Sequence, residues 1–170
     1  MTRDSAAPRE IYLVKHAHAG AAGKPPDENR GLSTTGSADA QRTGRHLAGM
    51  GLRPDVVIAS PRPRAEQTAA LIAELVGAPL KIDVRLAEAC DMACLRAILS
   101  DAGDPARAFL VGHIYCFGPL VAQLTGASAE PLRSGAVARI DLSEPFDGPL
   151  RISWLAAPRP DGVGRERTTG

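Results

Sequence analysis

The sequence predicts an α/β fold: a three-layer sandwich with a mostly parallel central sheet, helices on both faces and an antiparallel edge. Three observations carry this. Short, uninterrupted apolar runs recur along the chain, as strands covered on both faces require. Segments with apolar residues at helical spacing alternate with those runs, and strand–helix alternation builds parallel sheets. Late in the chain, two segments instead alternate apolar and polar residues across a turn-rich connection, the pattern of an antiparallel pair at a sheet edge.

Each element has its own signal. Ile11-Tyr12-Leu13-Val14 is the first buried strand. Leu32-Ser33-Thr34-Thr35-Gly36 offers a Ser or Thr N-cap to a helix ending near Met50. Val56-Val57-Ile58-Ala59 is the second buried strand. Pro61-Arg62-Pro63-Arg64 opens a helix to about Val76, since proline is tolerated in a first turn. Thr68, Leu71, Ile72 and Leu75 form its apolar stripe and Gly77 its stop. Leu80 to Val84 alternates, as an edge strand does, and Asp91 to about Leu99 is a helix with Leu95, Ile98 and Leu99 inward. Ala108-Phe109-Leu110-Val111 is the third buried strand, and Gly118 to Leu124 a short helix. Ala136 to Leu142 and Leu150 to Leu155 make the antiparallel pair. Residues 1–9 and 157–170 lack periodicity and read as flexible ends of one domain over 10–156. Ala19–Asn29, with Gly20, Gly23, Pro25 and Pro26, is the one connection long enough for a lid or a partner contact.

Composition narrows the function. The chain has 170 residues, 44% apolar and 23% charged, the balance of a single globular domain. Only 4% are aromatic, so the core rests on Ala, Leu, Val and Ile. Twenty basic against nineteen acidic residues leave a net charge of +1, which excludes a generic nucleic-acid binder. Any anion site must therefore be a local concentration of charge. Length excludes a (β/α)₈ barrel, which needs roughly 200 residues or more. No apolar stretch approaches the ~18 residues of a membrane span, so no membrane partner is expected. Ile11–Val14 is too short for a signal-peptide core. Three cysteines, Cys90, Cys94 and Cys116, suit reduced thiols in a cytoplasm and read as buried small residues. Neither glycine-rich nucleotide-binding motif occurs.

In open α/β sheets, ligands bind beyond the carboxyl ends of the strands. Lys15, His16, Ala17 and His18 follow the first apolar run; Ser60, Pro61, Arg62, Pro63 and Arg64 follow the second; Gly112 and His113 follow the third. Three strand ends thus deliver cationic and imidazole groups to one rim, beside helix N-termini, with no carboxylate immediately after them. That is a site for a phosphate-like anion. His16-x-His18 also has the form of a metal-binding pair, but further ligands are missing, and neither metal nor cofactor is expected.

Five segments resemble one family's motifs. Tyr12-Leu13-Val14-Lys15-His16-Ala17 matches a strand followed by R-H-G, and Gly31-Leu32-Ser33-Thr34-Thr35-Gly36 a P-L-S/T-x-x-G helix start. Ser60-Pro61-Arg62-Pro63-Arg64-Ala65-Glu66-Gln67-Thr68-Ala69 matches S-P-x-x-R-A-x-Q-T-A. Val111-Gly112-His113 matches a strand ending in a second histidine, and Ser134-Gly135-Ala136 a late hairpin. On these motifs, from about Ile11 to Leu155, the chain resembles the histidine phosphatase superfamily, also called phosphoglycerate mutase-like. It looks closest to the short bacterial phosphohistidine phosphatase branch.

The resemblance implies a phosphoglycerate mutase-like fold with His16 as the phosphate-accepting nucleophile. It makes Arg64 a phosphate clamp, His113 the second phosphate-pocket histidine, and puts Lys15 in the place of an arginine. Arg85-Leu86-Ala87-Glu88 resembles the segment carrying the proton donor, so Glu88 is the expected acid and Asp91 its substitute. His18, Ser60, Arg62 and Tyr115 are expected at the rim. The chemistry is sound without the family: a neutral imidazole, with an ordinary pKa of about 6.5, is a competent nucleophile near neutrality. The expected activity is a metal-independent phosphatase acting through a covalent phosphohistidine. Its substrate would be a phosphohistidine protein or a small phosphomonoester, and mutase activity is less expected because the connections are short. Two departures support an alternative, a weak or inactive phosphate-binding regulatory module. Lys15 grips phosphate as a point charge rather than a planar fork, and Ala17 adds a methyl group where the motif has glycine. Ile114-Tyr115-Cys116-Phe117 is an apolar run at the expected entrance.

Overall fold

In a computed structural model the first apolar run becomes the strand β1 (Arg9–Lys15), whose alternate side chains enter two separate cores. The structure describes residues 9–21, 26–125 and 133–142, with the strand segments 152–155 and 167–168. The remaining elements are α1 (Thr34–Gly49), β2 (Val56–Ala59), α2 (Pro63–Val76), β3 (Leu80–Ile82), α3 (Met92–Asp101), β4 (Arg107–Gly112), α4 (Ile114–Thr125), β5 (Val137–Leu142), β6 (Ile152–Leu155) and β7 (Arg167–Thr168). The sheet runs β3-β2-β4-β1-β5-β6-β7. Strands β3, β2, β4 and β1 are mutually parallel, while β5 returns antiparallel beside β1 and leads into β6 and β7.

Strand periodicity sorts the layers. Ile11, Leu13, Val56, Ile58, Ala108 and Leu110 pack with Leu95, Ile98 and Leu99 of α3 and Phe117, Leu120 and Val121 of α4. Tyr12, Val14, Val57, Phe109 and Val111 pack on the other side with Leu47 of α1 and Ala65, Ala69 and Ile72 of α2. The result is the expected three-layer α/β sandwich. Ser33 caps α1 by accepting the Gly36 N–H at 2.9 Å, and Gly77 closes α2 in the left-handed conformation.

The structure differs from the sequence expectation in three places. Helix α4 starts at Ile114, a full turn before Gly118. Gly118 and Pro119 read as breakers, but Phe117, Leu120 and Val121 on its inner face are buried, and that burial outweighs the one backbone bond proline removes. Strand β3 stops at Ile82, because the Asp83 carboxylate accepts the Arg85 N–H and turns the chain into a 3₁₀ turn over Val84–Ala87. Arg9 opens β1 and Arg167–Thr168 pair with β6, although both lie in segments expected to stay outside the sheet. Ladder pairing uses backbone groups and leaves no apolar signature. The other residues of those ends, and 143–151, lie outside the described residues. Among the described residues, no helix is long and apolar enough to cross a membrane.

Candidate active site

The carboxyl ends of β1, β2 and β4 meet at one edge of the sheet, and the cationic segments meet with them. His16 follows β1 and donates its N–H to the Gly112 carbonyl at 3.0 Å, which ties it to the end of β4. On the other side, the Gly135 N–H is shared between the carbonyls of Lys15 (3.1 Å) and His16 (3.3 Å). That turn needs φ of 75° at residue 135, a conformation glycine adopts without penalty. The chain then passes across the start of α1. A Cβ on Gly36 would stand 2.0 Å from the His18 carbonyl oxygen, so only glycine lets this crossing happen. The Ser33 N–H donates to the same carbonyl at 3.0 Å and fixes it.

The spacing in Ser60–Ala69 becomes intelligible here. Arg64, Gln67 and Thr68 fall on one face of α2, three and four residues apart. The Thr68 hydroxyl donates to the Arg64 carbonyl at 2.7 Å and accepts the Ala17 N–H at 3.1 Å, so α2 grips the residue after the first histidine. The Gln67 carbonyl oxygen accepts the Leu32 N–H at 2.7 Å and fastens the segment before α1 to α2. Buried Ser60 meets His113 Nε2 at 2.9 Å and accepts the Arg62 N–H at 3.3 Å. Arg64, itself buried, turns its guanidinium into the site.

His16 and His113 face each other with ring centroids 5.1 Å apart. His16 Nδ1 lies 2.7 Å from the Ala17 carbonyl oxygen, which makes Nδ1 the protonated nitrogen. Its Nε2 accepts a hydrogen bond from Arg64 Nε at 3.2 Å and so carries the lone pair. Burial, reinforced by the Arg64 and Lys15 charges, pushes the His16 pKa down to about 4. Burial, with charge from His16, Arg64 and Arg62, takes His113 down to about 3. Both rings are therefore neutral at neutral pH. The His113 Nδ1 atom is buried and has no partner among the described residues. Ala17 contributes backbone rather than side chain: its methyl is buried, and its N–H and C=O hold Thr68 and His16.

Both terminal nitrogens of the Arg64 guanidinium are engaged by Asp27, a residue that the sequence reading missed. Nη1 donates to the Asp27 carbonyl at 2.5 Å and Nη2 to the Asp27 carboxylate at 3.2 Å. The other carboxylate oxygen of Asp27 accepts from Arg30, which also donates to the Gly20 carbonyl at 2.7 Å. These charges hold the Asp27 carboxyl below its ordinary range, the Arg30 hydrogen bond first among them. Asp27 sits in a one-turn 3₁₀ segment with no apolar pattern. Its signal was its position near the end of the one long connection, three residues before Arg30.

The other expected residues divide. Lys15 is half-buried, its pKa lowered by burial, and its charge reaches His16. Tyr115 stacks on His113 at 4.9 Å between centroids and 5° between planes, and the Arg62 guanidinium lies 5.8 Å from its ring centre. Glu88 is exposed just past the 3₁₀ turn, close enough for its charge to act on Tyr115 but without a hydrogen bond to either ring. His18 turns away: its ring is exposed and pairs with Asp39 of α1 at 3.0 Å. Asp91 is engaged as the N-cap of α3, accepting the Cys94 N–H at 2.8 Å. The three cysteines are free thiols, and among the described residues no group of three or more His, Cys, Asp or Glu is placed to hold a metal ion.

The model of the histidine phosphatase superfamily (branch 1) matches residues 11–96. Phosphohistidine phosphatase SixA of Escherichia coli (strain K12) is 25% identical over 154 residues, covering 88% of this chain and 94% of that protein. Among solved structures, the protein histidine phosphatase SixA complexed with tungstate superposes with a TM-score of 0.74 at 24% identity, covering 87% of this chain and 96% of that one. A mycobacterial glucosyl-3-phosphoglycerate phosphatase gives 0.64 at 15% identity, covering 79% and 90%. At these identities the solved structures establish the shared fold.

Proposed function

The chain belongs to the histidine phosphatase superfamily, and from that premise we propose that it is a phosphatase acting through a covalent phosphohistidine on His16. The observation that carries this is the state of His16. Its Nδ1 proton is given to the Ala17 carbonyl and its Nε2 lone pair is held beside the Arg64 guanidinium, in a ring that burial keeps neutral. A neutral, oriented imidazole next to a cation is what attack on a phosphoryl group requires.

The steps follow from these groups. The phosphoryl oxygens take the places on Arg64 that Asp27 occupies, and Lys15 adds charge without a fixed geometry. With the Ser60 hydroxyl donating to His113 Nε2, the proton of that neutral ring sits on Nδ1, which has no other partner among the described residues. It is then offered to a phosphoryl oxygen without His113 becoming charged. His16 Nε2 forms the bond to phosphorus as the bond to the leaving group breaks, and water later hydrolyses the phosphoenzyme. Glu88 supplies the proton where the leaving atom is an alkoxide oxygen. No step needs a metal ion, because the protein's own cations meet the developing charge. The substrate class is a phosphohistidine protein or a small phosphomonoester. The free thiols suit a cytoplasmic setting.

The test is phosphate release from p-nitrophenyl phosphate, with acid-labile phosphoryl labelling of the protein. Wild type should turn over and take label on His16, and His16→Ala should do neither. Phosphate binding without turnover or label in wild type would identify a binding module and overturn the enzyme.

A further inference from the structure

We infer that Asp27 is a specificity-determining residue of this site, selecting phosphoryl groups carried on a protonated ring nitrogen over phosphate esters; the inference rests on the phosphatase reading. One guanidinium touches both partners. Arg64 Nε faces the His16 lone pair, and Nη2 faces the Asp27 carboxylate. An incoming phosphoryl group must replace Asp27 on Arg64, yet Asp27 does not thereby leave the site. Arg30 holds its second carboxylate oxygen and is itself anchored on the Gly20 carbonyl. Held by Arg30, the displaced carboxylate stays beside the Arg64 guanidinium, largely exposed and ionised.

A carboxylate in that place discriminates by charge. An ester arrives as an anion and its leaving oxygen gains negative charge, which Asp27 opposes. A phosphorylated imidazole that is protonated on its other nitrogen presents an N–H, which a carboxylate accepts in a charge-assisted hydrogen bond. The transfer then balances without any proton moving. The His16 Nε2 lone pair forms the new N–P bond, and the electrons of the old N–P bond return to the substrate nitrogen. The substrate ring leaves neutral, keeping its N–H. His16 becomes the phosphorylated, cationic ring, with its Nδ1–H still on the Ala17 carbonyl. The two rings exchange roles, one supported by Ala17 and the other by Asp27. No general acid is needed for this transfer. For an ester the same site must supply a proton.

The experiment compares wild type, Asp27→Asn and His16→Ala on free phosphohistidine and on p-nitrophenyl phosphate. Asp27 is exposed, so the folded state tolerates the change. Asp27→Asn should lower kcat/KM for phosphohistidine by about tenfold or more, the worth of one charged hydrogen bond, and raise it for the ester. A change of the same size and direction on both substrates would overturn the inference and leave Asp27 as a peg for Arg64. Should wild type act on neither substrate, the phosphatase reading itself fails; that result is distinct, because it appears before any variant is compared.

Discussion

Acidification should destabilise this protein well above the range in which carboxylates titrate, and His113 sets most of the effect. In the unfolded chain the imidazole has its ordinary pKa of about 6.5. In the folded protein burial and the neighbouring cations hold it near 3. Between those values the unfolded state binds the extra proton, so stability rises with pH, is complete above about 6.5 and is lost as pH falls toward the folded value. At pH 5 the ring alone removes about 2 kcal/mol relative to pH 7.5. His16, lowered to about 4 and only partly covered, adds a smaller share over the same window. The measurement is urea unfolding at intervals from pH 7.5 to 5, for wild type and His113→Asn. The wild-type free energy should fall steadily across that range, and the variant should lose about half or more of the slope. An equal slope in both proteins would refute the reasoning, because the neutral buried ring would then not be its source.

Two further changes probe the clamp and the acid of the site. Lys15→Arg should raise kcat/KM on p-nitrophenyl phosphate severalfold, because a planar fork replaces a point charge; a rate at or below wild type in a folded variant would show that lysine is not the limiting clamp. Glu88→Gln should lower kcat by about a hundredfold on an alkyl phosphate, whose leaving oxygen needs a proton, and change phosphohistidine turnover little. Equal losses on both substrates, from steady-state rates, would place Glu88 in another role.

Much of this architecture was legible because burial leaves a pattern. The apolar runs of β1, β2 and β4 and the stripe of α2 each state which face is covered, and the rule that ligands sit past strand ends then locates Lys15, His16, Arg64 and His113. What was not legible depended on contacts between segments distant in sequence. Ser60 reads as a rim residue but acts as the partner of His113 Nε2. His18 follows the strand only two residues after His16, yet Asp39, from a different element, draws its ring outward. Asp91 looks like a free acid until the first turn of α3 claims it. Asp27 carries no periodicity at all; only the fold brings it to Arg64 across 37 residues of chain.

Among the described residues, the buried polar or charged side chains are Thr43, Ser60, Arg64, Thr68 and His113, and four of these five belong to the candidate site. Elsewhere the interior is apolar, so the site is where the fold accepts unfavourable burial. Without an anion, the guanidinium of Arg64 would sit beside a neutral ring with two donors unspent. Asp27 answers that need, and its hold on Arg30 keeps it nearby when an oxyanion takes over. The same anchored carboxylate therefore both balances the Arg64 charge and supplies the charge that meets a departing leaving group, which is why one substitution at position 27 should move the two substrates in opposite directions.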